Sequence, residues 1–239
     1  MNQLGNQSYP ADAGEMDIIR GLNAYIAKVY GWMFIGLALT ALTAFAFVAD
    51  EARVIAFVTN PILFYGCLIG ELVLVFVVSR SVMKLPFSAA AGLFALYAVL
   101  NGLTLSVILL VYTGASLSLT FFVTAGMFGV MSVYGRVTRT DLSRFRGILT
   151  MGLIGVVVLS LINMLLRSTA LDWVVSLVGL FVFLGLTAYD MQKIRTYYFA
   201  SEGNTLTLNR LGLLGALSLY LDFINLFLML LRLFGRRRN

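Results

Sequence analysis

The chain contains no histidine, one cysteine (Cys67) and three prolines, and only 12% of its 239 residues are charged. A single thiol forms no disulfide framework. Without histidine there is neither an imidazole metal site nor a Ser/His or Cys/His catalytic pair. Histidine is also the side chain that ordinarily titrates near neutral pH, so any response to protons must reside in carboxylates. What the chain has instead is apolar surface: 60% of its residues are hydrophobic and its mean hydropathy is +0.94. That excess suits helices solvated by lipid and marks an integral membrane protein.

The net charge of +6 does not point to nucleic acid, because the basic residues fall between and after the apolar runs, where topology signals and headgroup contacts belong. Apolar segments occupy about 25–49, 61–79, 87–112, 117–134, 148–166, 172–190 and 211–234. Each is close to the roughly 20 residues that cross about 30 Å of hydrocarbon. The expected fold is therefore all-α and polytopic, with seven transmembrane helices in a single domain over 21–235. Residues 1–20 are expected to be a disordered polar tail, since no basic n-region with a short apolar run and cleavage site is visible. Residues 236–239 form a basic C-terminal tail.

Alternate loops are strongly unequal in charge. One side receives Arg20, Lys28, Arg80, Lys84, Arg136, Arg139, Arg144, Arg146, Lys193, Arg195 and Arg210, the other only Arg53 and Arg167. The positive-inside rule then places the N-terminus in the cytoplasm. Seven crossings deliver Arg232, Arg236, Arg237 and Arg238 to the opposite side, against the same rule, so the last segment either spans fully or re-enters. Small residues recur at packing distance in Gly66/Gly70, Gly126/Gly129, Gly152/Gly155 and Gly212/Gly215, as expected where helices approach closely in lipid.

Three carboxylates fall inside apolar segments: Glu71, Asp190 and Asp222, with Asn101, Thr104, Asn163 and Asn225 as neutral companions. Ionisable groups at membrane depth are expensive and commonly line ion or proton routes. Asp190 and Asp222 lie on consecutive antiparallel segments, about 25 Å and 18 Å from a common interface at 1.5 Å per residue. Two such acids away from water share one proton and titrate as a coupled pair. Arg80, at the end of the second segment, is a candidate for reaching back to a carboxylate, and equally for anchoring to headgroups. Glu71 reads as a protonated buried acid or as part of a cation path. No metal-ligand cluster or activated nucleophile points to an enzyme. The half-matched context of an aspartyl intramembrane protease, with Tyr220-Leu221 preceding Asp222, does not alter that.

Leu219-Tyr220-Leu221-Asp222-Phe223-Ile224-Asn225-Leu226-Phe227 and Leu186-Thr187-Ala188-Tyr189-Asp190-Met191-Gln192-Lys193-Ile194 closely resemble signatures of the transmembrane Bax inhibitor motif family, and the likeness extends over roughly 20–235. The basic loop with Asp141-Leu142-Ser143 is similar to that of bacterial inner-membrane members. The resemblance implies a central seventh helix wrapped by six others, and a calcium leak gated by pH through a hydrogen-bonded aspartate pair. Carried over, Asp190 and Asp222 match the pH sensor, Glu71 matches an acid on the ion path, and Arg80 is the nearest candidate for an arginine latch. Calcium takes oxygen ligands, which Glu71, Asp190, Asp222 and Asn225 offer for weak, transient binding without a tightly bound cofactor. The expected partners are the lipid bilayer, calcium and protons, with a membrane protease as a further candidate. A proton-coupled exchanger and a flux-silent regulator of stress or proteolysis remain the alternative functions.

Overall fold

The computed structural model describes residues 11–201 and 204–238. Seven of its helices are long and apolar enough to span a membrane: α1 (Ala11–Val48), α3 (Pro61–Ser81), α4 (Phe87–Val111), α5 (Gly114–Val137), α6 (Arg146–Leu166), α7 (Thr169–Ala200) and α8 (Thr205–Phe234). Between the first two lies a short helix, α2 (Glu51–Thr59), and a 3-10 turn over Leu142–Phe145 precedes α6.

Local chemistry sets the boundaries. Asp50 caps α2 by accepting from the Arg53 amide, and Asn60 ends α2 while accepting from the amides of Ile62 and Leu63 to start α3, with Pro61 at the first helical position. Thr113, Ser168 and Asn204 likewise cap α5, α7 and α8. α6 closes on Arg167, whose φ of 52° is left-handed, a conformation that costs a non-glycine residue roughly 1–2 kcal/mol.

The expected disordered tail is corrected in part. Residues 1–10 lie outside the described residues, but from Ala11 onward the chain is already α1. Ala11, Ala13, Glu15 and Met16 are residue types that favour helix.

The helices differ sharply in burial. In α8, 67% of the apolar stretch is buried within the protein, against 6–33% in the other six. α8 packs on α7, α1, α5 and α4, while α3 rests chiefly on α4 and α6 on α7. Large apolar side chains such as Ile62 and Leu165, at 84% and 85% exposure, face outward. In a bilayer that surface is solvated by lipid and needs no protein cover.

Glycine and aromatic packing bring α8 inward. Gly212 lies against Tyr25, Gly215 against Ile194 and Val29, and Gly179 of α7 against Met229. Tyr220 meets Phe94 and Tyr97 edge-on with ring centroids 5.7 Å apart, and Phe223 meets Phe121 and Phe128 at 5.6 and 5.5 Å. The small-residue pairs predicted from spacing divide: Gly212 and Gly215 both sit in helix contacts, whereas Gly66, Gly126, Gly129 and Gly155 have open space where a side chain would go.

The last segment is an unbroken crossing. α8 has 30 residues, about 45 Å at 1.5 Å per residue. Its far end meets the α4–α5 connection: Thr113 N donates to Arg236 O at 3.1 Å, Arg238 N to Val111 O at 2.8 Å, and Arg236 N to Ser116 Oγ at 2.8 Å. Arg232 also pairs at 3.8 Å with Asp172 in the first turn of α7. The re-entrant alternative therefore falls, and the terminal arginines sit at the end of the bundle opposite the basic loops. The backbone of the basic tail is pinned over Arg236–Arg238.

Candidate functional site

α7 carries its apolar stretch through Ala188 and then continues to Ala200, so Asp190 lies inside the helix with Lys193 one turn further on. α8 packs antiparallel to it. The contacts of Gly215 with Ile194 and of Gly179 with Met229 fix a register that puts Ser218 level with Asp190. Asp222 is then one helical turn deeper, about 6 Å along the axis.

Asp222 is 4% exposed, and its Oδ2 has no hydrogen-bond partner among the described residues. The charged groups acting on it are Asp190 and Lys193. Lys193 Nζ stands 3.8 Å from Asp190 Oδ1, whose side chain is 13% exposed, and Ser218 also faces Asp190. The ammonium lies 5.9 Å from the centre of the Tyr189 ring and 5.7 Å from that of Tyr197, so two aromatic faces hold it over the pair.

Lys193 also borders a cleft of about 770 Å³ at the basic-loop end, shared with Thr138, Arg139, Asp141, Gln192 and Arg195. Gln192 clamps that loop from both sides of its amide. The Leu142 N–H donates to Gln192 Oε1 and Gln192 Nε2 donates to Thr140 O, each at 2.8 Å.

Asp141 caps the 3-10 turn, accepting from the Ser143 amide at 3.0 Å. The Ser143 hydroxyl, and then its amide, hold the Asp141 carboxyl below its ordinary range. A depressed folded-state pKa means that the cap contributes fully above the unfolded value and is lost as pH falls through the lowered one. Carboxyl NMR titration is expected to place the Asp141 midpoint below that of a model aspartate, which separates this residue from any response near neutral pH. A midpoint at or above the model value contradicts the cap.

A second polar cluster occupies the opposite face of α8, because Tyr220 and Asp222 are two residues apart on a helix. Asn101 Nδ2 donates to Glu71 Oε2 at 3.2 Å and Thr104 Oγ1 to Glu71 Oε1 at 2.9 Å. The Tyr220 hydroxyl stands 2.9 Å from Asn101 Oδ1 and 2.7 Å from Thr40 Oγ1. Thr40 also reaches the carbonyls of Gly36 and Ala98 at 3.0 and 2.9 Å. The line from Glu71 to Thr40 thus ties α3, α4, α8 and α1 together in a buried region. Tyr220→Phe removes the hydroxyl shared by Asn101 and Thr40, at an expected loss of about 0.6–2 kcal/mol for an interhelical bond in a membrane protein. Thermal unfolding in detergent reads this loss, and an unchanged transition contradicts the bridge.

The predicted site residues therefore separate into two clusters. Asp190 and Asp222 come together between α7 and α8, while Glu71 lies across α8 from them. Arg80 joins neither: its side chain is exposed, and it has no hydrogen bond or ion pair among the described residues. The reason is its helix, since α3 rests on α4 and does not face the pair. The cation that stands beside the pair in this structure is Lys193. Asn225 is also apart, donating its amide to Leu221 O on its own helix at 2.8 Å.

The sequence reading did not place Lys193 beside the pair, although its position three residues after Asp190 was a signal for it. Tyr220 and Thr40 carried no comparable signal, because a tyrosine and a threonine in apolar helices read as packing. Among the described residues no group of three or more His, Cys, Asp or Glu side chains is arranged to hold a metal. Two carboxylates and a serine fall short of the six to eight oxygens of a full calcium shell.

A family model described as "Inhibitor of apoptosis-promoting Bax1" matches residues 22–239. The Escherichia coli inner membrane protein YbhL is 51% identical over 220 residues, covering 91% of this chain and 94% of its own. A protein of Borreliella burgdorferi is 42% identical over 217 residues, with 91% and 94% covered, and one of Rickettsia prowazekii is 40% identical over 222 residues, with 92% of each covered.

Proposed function

The chain belongs to the Inhibitor of apoptosis-promoting Bax1 family, and from that premise we propose that it is a pH-sensitive calcium leak of the inner membrane, gated by proton sharing between Asp190 and Asp222. In this reading the N-terminus is cytoplasmic, as the charge asymmetry of the loops favours, and α8 is the axis that the other six spans surround. The observation that carries the reading is the buried Asp222 carboxylate, with one oxygen lacking a partner and a second carboxylate acting on it from the facing helix. Two acids so placed do not both ionise cheaply, so the pair holds one proton and its charge depends on pH.

The site couples that charge to helix packing. Adding or removing the shared proton changes the electrostatics of the α7–α8 contact, where Ser218 and Lys193 already engage Asp190. Tyr220 is two residues from Asp222 and anchors α8 to Asn101 and Thr40, so a shift of α8 reaches the Glu71 cluster across the helix. Glu71 and the aspartates supply oxygens for a passing cation on either side of α8, with the cleft beside Lys193 as the route to the basic-loop side. Inner-membrane placement follows the name of the Escherichia coli relative.

The test is calcium flux in liposomes containing only the purified protein, measured in acidic and alkaline buffers. The expected result is flux that changes with pH and moves no protons in step with calcium. Absence of calcium flux at every pH overturns the reading, and protons moving in fixed proportion to calcium replace the leak with an exchanger.

A further inference from the structure

Between α1 and α5 the bundle is open on its side. These helices share no extensive contact, and the gap between them leads to a groove of about 420 Å³ floored by α4 and α8. Its walls are almost wholly apolar: Ala41 and Phe45 of α1, Leu109 of α4, Phe121 and Phe122 of α5, and Phe227 of α8. The volume lies within the range of small-molecule sites. Because α1 and α5 are membrane-spanning, the groove opens into hydrocarbon, where the available occupant is an acyl chain.

What stands at its mouth selects among lipids. The groove begins at Leu117 and Ser118, one turn into α5, and the first turn of α5 is where the C-terminal segment is fastened. Arg236 N donates to Ser116 Oγ, Thr113 N donates to Arg236 O, and Arg237 pairs with Tyr112 in a β-bridge. The backbone of three consecutive arginines is therefore held at the outer end of the groove, and their side chains are exposed. None of the three forms an ion pair among the described residues. An apolar slot inside the membrane, with fixed cationic residues where it meets the headgroup layer, has the polarity of a phospholipid. We propose that the groove between α1 and α5 binds an acyl chain of an anionic phospholipid whose phosphate rests on Arg236, Arg237 and Arg238.

This assignment is independent of calcium conduction and is tested without it. The purified full-length protein is examined by native mass spectrometry in detergent, with phosphatidylglycerol or phosphatidylcholine of the same chains added. Wild type is expected to retain phosphatidylglycerol at least about fivefold better, the scale of one or more arginine contacts near a headgroup. The triple variant R236Q/R237Q/R238Q loses that preference. Ala41→Trp, which fills the groove from α1, and Ser118→Trp, which fills it from α5, each lose phosphatidylglycerol while keeping the unfolding transition of the wild type without lipid. Leu165→Trp, on the lipid-facing surface of α6, retains lipid as the wild type does. Equal retention of the two lipids, undiminished retention in both groove-filling variants, or equal loss in Leu165→Trp overturns the site. A second copy seated in the groove also overturns it, and would show as a dimer that Ala41→Trp dissociates.

Discussion

Asp222→Asn is expected to leave calcium flux that no longer responds to pH, flattening a change of about tenfold or more to less than about twofold, where tenfold corresponds to 1.36 kcal/mol between protonation states. The substitution keeps the shape of the side chain and removes its titration. Asp222 is the deeper member of the pair, and its unpartnered Oδ2 is the atom that an added proton would most directly relieve. An amide there is permanently neutral and leaves Asp190 to its pairing with Lys193 at 3.8 Å. Flux against pH in liposomes, with equal protein incorporation, makes the comparison. A variant that retains the wild-type pH profile removes Asp222 from the sensor.

The largest expected effect on stability comes from a glycine that no motif marked. At Gly135 of α5 a β-carbon would run into the carbonyl of Ala188 on α7, two residues before Asp190. Backbone cannot rotate out of the way as a side-chain tip does, so Gly135→Ala must push α5 from α7. The expected loss is about 1–3 kcal/mol, as for overpacked interiors. Gly66→Ala and Gly126→Ala are the controls, since nothing lies within 4 Å of the added atom at either position. There the better helix propensity of alanine, about 1 kcal/mol, is unopposed. Thermal unfolding in detergent is expected to fall for Gly135→Ala and to hold or rise for the controls. An unchanged transition for Gly135→Ala contradicts the close approach of α5 and α7.

Gly135 also shows where a single sequence stops being informative. The seven spans were legible because 20-residue apolar runs have one physical meaning, and Asp190 and Asp222 stood out because a carboxylate in such a run is costly. Helix ends were less legible. Hydropathy stops at the membrane edge, whereas α7 continues to Ala200, and that extension brings Lys193 beneath Asp190. α2 was missed for a similar reason: nine residues capped by Asp50 are too short for a hydropathy signal. Spacing of small residues identified Gly212 and Gly215 but equally picked out Gly66 and Gly126, which face open space. In lipid an outward face and an inward face are both apolar, so periodicity does not tell them apart. The same holds for Arg80, whose distance along α3 was readable while the direction of that helix's packing was not.

Two polar clusters lie on opposite sides of α8. Asp222 faces α7 and Tyr220 faces α4 and α1, so one helix carries the aspartate pair on one side and the hydroxyl that reaches Asn101 on the other. Glu71 has three donors within reach, from Asn101, Thr104 and Cys67, whereas Asp222 Oδ2 has none. Of the buried acids it is Asp222, not Glu71, that the surroundings leave with an unpartnered oxygen.

The most direct test of proton sharing is infrared difference spectroscopy of the protein in lipid, following carboxylic acid absorption as the buffer is acidified. The expected result is a protonation band that vanishes in Asp190→Asn and in Asp222→Asn alike and survives in Glu71→Gln. A band that persists in both aspartate variants, or one that vanishes only with Glu71, would contradict proton sharing.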